Sequence, residues 1–219
     1  MIESTKNTVI IDYQLGNLFS VKQACESIGL RTIISSSKDE IKNADGLILP
    51  GVGAFIEAMN NLKNLDLIDV IKEKVNDGTP LFGICLGLQL LFTESEEFGT
   101  KNGLNLINGS IKRFPSTLND KKIKVPHISW NTIYKNKIDW VSSPLKHLTD
   151  NDYMYFVHSY YVIPSDKDCI LTLTNYDSIE YCSSIKLKNI FATQFHPEKS
   201  AIKGLKIYEN WARENQLIK

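Results

Sequence analysis

No stretch of this 219-residue sequence reaches the roughly 18 consecutive apolar residues that a membrane-crossing helix requires, which excludes a helical span. Surplus charge of either sign is missing too, with 25 Lys and Arg against 25 Asp and Glu. Without a net field, nothing draws the chain onto nucleic acid or an anionic bilayer. The opening MIESTKNTVI lacks the apolar core of a signal peptide, so no leader is expected there. Cysteine is scarce and scattered, at 25, 85, 169 and 182, without metal-ligand spacing. That pattern suits reduced thiols in a cytoplasmic protein and neither a disulfide framework nor a metal site. A phosphate-cradling glycine loop, an internal repeat and a linker rich in Pro, Gly or Ser are also lacking. What remains is one domain over residues 1–219, with no metal and no cofactor.

Apolar residues make up 42% of the chain, enough for a sizeable core. Its first half alternates. TVIID (8–12) reads as a short buried strand, followed by a loop with Gly16 and Asn17. Leu18, Val21, Ala24, Cys25 and Ile28 then fall on one helical stripe, stopped by Gly29. Strands follow at 31–35 and 46–50, helices at 54–62 and 66–76, and a strand at 79–84. This is the rhythm of a parallel sheet wrapped by helices. After about residue 103 short β-like runs dominate, with Asn108-Gly109 reading as a tight turn. A last helix is expected to turn Ile202, Leu205, Ile207, Tyr208 and Trp211 inward. The fold class is α/β: an open, mostly parallel central sheet flanked by helices, with a β-rich second half.

FGICLGLQLLF (82–92) sets a thiol between two glycines at a strand end. Gly83 and Gly87 flank Cys85 at the spacing of a nucleophile elbow, where glycines permit a sharp bend and a close following helix. LGLQLLF is expected to be that helix, its N-terminal amides favouring thiolate over thiol. A structural cysteine in a glycine-bearing core would look the same, so a base must decide. Of four histidines, only His196 has a suitably placed carboxylate, in QFHPEKS. On an extended segment His196 and Glu198 share a face, so Glu198 can orient the imidazole. Nucleophile, base and orienter are therefore Cys85, His196 and Glu198. Acyl transfer also needs oxyanion donors: the backbone of Leu86 is one, and the LPGVGAF loop with Val52 and Gly53 is the candidate for the second, although a simple turn would explain its glycines equally well.

GICLGLQLLF with QFHPEKS resembles the class I glutamine amidotransferases, which carry a Cys-His-Glu triad on an open α/β sheet. PGVGAF, KVPHISWN and YFVHSYY further resemble the glutaminase subunits of imidazole glycerol phosphate synthases, from IDYQLGNLFSV to the final helix. The resemblance implies attack of Cys85 on the side-chain amide of L-glutamine, giving a thioester and ammonia. It implies that Gly51, Gln89, Glu97, His158, Ser159 and Tyr160 bind the substrate. It also implies a heterodimer with a (β/α)8 cyclase that receives the ammonia, with Asn17, Trp130, Tyr155 and Lys199 near the docking face. Two positions depart from the pattern: Gln14 follows Tyr13 where glycine is common, and Ser129 replaces a glycine in KVPHISWN. Paralogous glutaminases that supply ammonia for surface-polysaccharide sugars are the rival implication.

Overall fold

The structure is a computed structural model that describes residues 6–219. Residues 1–5, half of the opening stretch read against a leader, lie outside the described residues. The first half runs β1 (Thr8–Ile11), α1 (Leu18–Ser27), β2 (Thr32–Ser35), α2 (Lys38–Lys42), β3 (Gly46–Gly51), α3 (Phe55–Asn64), α4 (Ile68–Asn76), β4 (Leu81–Cys85) and α5 (Leu86–Leu90). It continues with β5 (Phe92–Ser95), β6 (Lys101–Asn102), β7 (Ile107–Arg113), β8 (Thr117–Leu118), β9 (Lys121–Lys122), β10 (His127–Lys135) and β11 (Asp152–His158). The chain closes with β12 (Tyr160–Pro164), β13 (Ile170–Tyr176), β14 (Ile179–Leu187), β15 (Ile190–Thr193) and α6 (Ala201–Glu214).

The expected open parallel sheet is present as β2-β1-β3-β4-β15, every neighbour parallel. From β14, antiparallel to β15, the sheet continues through β12, β7, β5 and β6, while β13, β10 and β11 branch off. Strands β1, β3 and β4 are buried at every residue, as parallel strands covered on both faces must be. Alternation sorts their side chains. Val9, Ile11, Leu47 and Leu49 pack with Phe55, Leu62 and Ile71 from α3 and α4. Ile10, Ile48 and Phe82 pack with Val21 and Cys25 of α1 and Ile207 and Trp211 of α6. The C-terminal ends of β3, β4 and β15 are thereby aligned at one edge of the layer, where open α/β sheets place their sites.

Several local expectations are corrected. Helix α2 has no counterpart among the expected elements, being too short to show a period; Ser37 caps it at the Glu40 amide, 3.4 Å away. Asn108-Gly109 is no tight turn but lies inside β7, where pairing with β5 steps from Phe92↔Ile107 to Glu94↔Ser110. The extra residue forms a bulge, and Gly109 at φ +146° leaves room for the Ile163 carbonyl, which a Cβ would meet at 2.4 Å. On α6, Ile207, Tyr208 and Trp211 are buried as expected, but Ile202 is 77% exposed. Five residues before Ile207 is about 140° around the helix, so its apolar type misled where its spacing did not.

Candidate active site

Cys85 ends β4 with φ +55° and ψ −106°, a strained conformation held by its surroundings. The bend thus falls on the cysteine, and the flanking glycines provide space. A Cβ on Gly87 would come 1.7 Å from the Leu49 carbonyl oxygen, and one on Gly83 would meet Ala192 Cβ at 3.0 Å. Helix α5 is shorter than expected, five residues, because Phe92 already opens β5.

Strand β15 lies beside β4 with Thr193 level with Ile84, so the next residues arrive next to Cys85. His196 Nδ1 is 2.8 Å from Glu198 Oε1, and both side chains are buried. The pairing is not the extended one expected. Pro197 starts a 3-10 turn over Pro197–Lys199, a place where its missing N–H costs nothing, and the turn folds Glu198 back onto the ring. The Nδ1–H donates to Glu198, leaving Nε2 without a partner among the described residues. Burial works against a charged ring here, yet the neighbouring Cys85 and the Glu198 carboxylate raise His196 to about 10. The other histidines cannot replace it. Burial lowers His127 to about 4 and His158 to about 3, keeping both neutral, and His147 is exposed at the surface.

Beside Cys85 opens a cavity of about 310 Å³. Its walls include the expected Val52, Gly53, Leu86, Gln89, Glu97, His158, Ser159 and Tyr160, together with Pro126 and Val157. Those last two were missed, since a proline before a histidine and a strand valine carry no chemical signal. Gly51 stands level with Cys85 in the β3–β4 ladder. Only glycine fits there, because a Cβ would lie 2.0 Å from the Tyr13 hydroxyl, which donates to the Pro50 carbonyl at 2.7 Å. Gly53 holds φ +106°, a conformation L residues avoid. Glu97 accepts from the Phe55 amide at 2.6 Å and so closes the N-terminus of α3, where Ala54 has no capping side chain. Gln89 Nε2 donates to the Tyr160 carbonyl (3.0 Å) and to Gln194 Oε1 (3.1 Å), leaving its own oxygen as an acceptor.

Three of the four residues expected near a docking face form one cluster. Trp130, 49% exposed and no core tryptophan, meets Tyr155 edge-on at 6.1 Å, and Lys199 Nζ sits 5.8 Å over the same tyrosine. Tyr155 is in turn 6.5 Å from the His196 ring. Asn17 stands apart in role, capping α1 through the Ser20 amide at 3.4 Å. Both departures have a local explanation. Gln14 adopts φ +69°, which is why glycine suits that place, and Ser129 Oγ lies 2.8 Å from His127 Nε2.

A cysteine on a strained strand end, a histidine–carboxylate pair beside it and a cavity with backbone amides can perform acyl transfer through a thioester. The glutamine amidotransferase class-I family model matches residues 9–214. The chain belongs to the class I glutamine amidotransferases. Within this class it is similar to the imidazole glycerol phosphate synthase subunit HisH of Geobacillus thermodenitrificans, 46% identical over 203 residues that cover 92% of this chain and 93% of that protein. The HisH subunit of Aquifex aeolicus is 46% identical over 212 residues, covering 96% and 98%. Among solved structures, PurLQS from Thermotoga maritima matches with a TM-score of 0.72 at 16% identity, covering 95% of this chain and 98% of that one. The glutaminase domain of Trypanosoma brucei CTPS with bound acivicin matches with a TM-score of 0.66, again at 16%. These two carry the amidotransferase fold alone. As an amidotransferase of this class the chain is an enzyme that hydrolyses glutamine. No helix among its described residues is long and apolar enough to cross a membrane, and all four cysteines are free and buried.

Proposed function

We propose that the chain is a single-domain, cytoplasmic glutaminase subunit of an imidazole glycerol phosphate synthase, serving histidine biosynthesis. Cys85 Sγ attacks the side-chain amide carbon of L-glutamine in the cavity. The developing oxyanion is held by the Leu86 amide and by an amide of the Val52–Gly53 loop. The charged His196 gives its Nε2 proton to the departing nitrogen, and ammonia leaves. His196, now neutral and still oriented by Glu198, takes a proton from water as it attacks the γ-glutamyl thioester, and glutamate is released. Glu97, the Gln89 oxygen and the backbone at Gly51 and His158–Tyr160 surround the amino-acid end of the substrate. Ammonia passes to a (β/α)8 cyclase docked over Trp130, Tyr155 and Lys199, with Asn17 at the margin. There it completes imidazole glycerol phosphate and releases an aminoimidazole carboxamide ribotide.

The observation that carries this reading is that Cys85, which lines a cavity walled by Gln89 and Glu97, meets the buried His196–Glu198 pair. It is tested by measuring glutamate release from glutamine, first with the chain alone, then with a histidine-pathway cyclase and its ribotide ligand, with Cys85→Ala as blank. Strong stimulation that vanishes in the variant is the expected result. Cys85-dependent release that this cyclase never stimulates would reassign the partner to a surface-polysaccharide synthase. No Cys85-dependent glutamate in either condition would overturn the glutaminase.

A further inference from the structure

Gln194 is fully buried just past β15; it opens the QFHPEKS motif yet is no member of the triad. Its amide is committed at both ends. Oε1 accepts from Gln89 Nε2 at 3.1 Å, while Nε2 lies 3.6 Å from Cys85 Sγ. Gln89 Nε2 has a second acceptor in the Tyr160 carbonyl at 3.0 Å. A carbonyl oxygen cannot donate, so Gln89 must turn its NH₂ toward Tyr160. Gln194 must then receive from Gln89 with its oxygen and aim its own NH₂ at the sulfur.

We infer that Gln194 is a dedicated hydrogen-bond donor to the Cys85 sulfur, that it holds the thiolate for attack, and that Gln89 sets the direction of that donor. This rests on the glutaminase reading of Cys85. Sγ also meets the His196 ring and, at 3.8 Å, the Val157 carbonyl, an acceptor that suits the thiol and opposes the thiolate. Helix α5, with five residues, has little dipole to offer the sulfur in its place. An amide is suited to the task because it never titrates, so it supports the anion without competing with His196 for the proton. Its position follows from the ladder: Thr193 is level with Ile84, which brings Gln194 level with Cys85. Titratable groups around the sulfur are His196 from the same segment, Tyr13 beyond β1 and Tyr181 on β14, with Glu97 and His158 lining the adjoining cavity.

The test is the rate at which iodoacetamide alkylates Cys85 in the full chain across about pH 5–9. Gln194→Met, Gln194→Glu and Gln89→Met are compared with the parent, with Cys85→Ala as blank. Loss of a charge-assisted donor predicts about tenfold slower alkylation at neutral pH in Gln194→Met, and a profile moved up by about one pH unit. Gln194→Glu, which keeps the shape but faces the sulfur with an anion, shifts it further. Gln89→Met shifts it the same way by less, since Gln194 stays but is free to flip. Thermal melts report whether each variant is folded. Folded Gln194 variants with the parental profile would overturn the inference. Should both fail to fold, an unshifted profile in Gln89→Met would overturn it alone. Alkylation needs no glutamine, so these outcomes are independent of whether the chain releases glutamate. Failure of the glutaminase reading would appear only in the glutamate assay.

Discussion

Replacing His127 with phenylalanine should make the fold less sensitive to acid, by an amount that depends on where the ring sits. His127 is fully buried, stacked on Tyr176 at 3.9 Å and Phe156 at 5.2 Å, with its Nδ1 3.3 Å from His158 Nε2. Burial lowers its pKa to about 4, against roughly 6.5 for an unfolded chain. A group whose folded pKa is depressed stabilises fully above the unfolded value, and that contribution is lost as pH falls toward the folded one. At about pH 5 the unfolded ring is largely protonated and the folded ring is not, so this single histidine costs about 2 kcal/mol relative to pH 8. Phenylalanine keeps the stacking and abolishes the titration. The contacts with Ser129, Asn131, Tyr181 and His158 are lost as well, and with the last goes His127's part in lowering His158. Urea unfolding of parent and variant at about pH 8 and pH 5 gives the difference between the two losses. His158 stays buried in both proteins, and easing its lowering shrinks the variant's acid loss further, while the remaining groups are common to both and cancel. The acid loss should be smaller in the variant by at least about 2 kcal/mol, and equal losses would refute the claim that the buried ring stays neutral.

The site makes further demands. Gly87→Ala drives a Cβ to 1.7 Å from a backbone oxygen, so urea unfolding should show a loss of at least about 1–3 kcal/mol; a parental midpoint would refute the close approach. Glu198→Gln removes the anion that orients His196, and partner-stimulated glutamate release should fall by about 10²–10⁴-fold. Parental turnover would deny Glu198 its role. Glu97→Ala should cost about 1 kcal/mol by uncapping α3 and should raise KM for glutamine. Adding Ala54→Ser should restore the stability and leave KM high, and restoration of both would make Glu97 a cap only. Gly53→Pro forbids φ +106°, so stimulated turnover should collapse; full activity would deny this loop conformation any part in the reaction.

Much of the parallel half could be read from the chain because its strands are uninterrupted apolar runs and its helices carry clear stripes. The candidate triad of Cys85, His196 and Glu198 stood out for a different reason: these residue types are chemically unusual in those settings. What stayed hidden depended on distant backbone. Gly87 is glycine because of the Leu49 carbonyl, and Gly51 because of the Tyr13 hydroxyl. Neither partner lies near its glycine in the chain, so no local window could reveal the reason. Gln194 and the capping role of Glu97 were missed similarly, since an amide or carboxylate declares its partner only once the sheet has formed. The motif pattern did flag position 14 as one where glycine is common, and φ +69° at Gln14 supplies the physical meaning.

The order of strands explains why residues so far apart in the chain form one site. Strands β1–β4 deliver the Val52–Gly53 loop and Cys85. Strands β11 and β12 build the opposite wall with His158 and Tyr160. The chain then returns to lay β15 against β4, and that single parallel ladder positions the segment after Thr193. With Thr193 beside Ile84, Gln194 reaches the level of Cys85, and the turn begun by Pro197 folds Glu198 behind His196. A slip of one residue would invert every side chain of the segment, sending Gln194 and His196 away from the sulfur and turning Phe195 toward it. The slip is opposed by packing. Ile190, Ala192 and Phe191 alternate between the two cores, and Phe195 is fully buried against Phe156 at 5.6 Å. The apolar pattern of β15 therefore enforces the geometry of the candidate triad, although none of those apolar residues belongs to it.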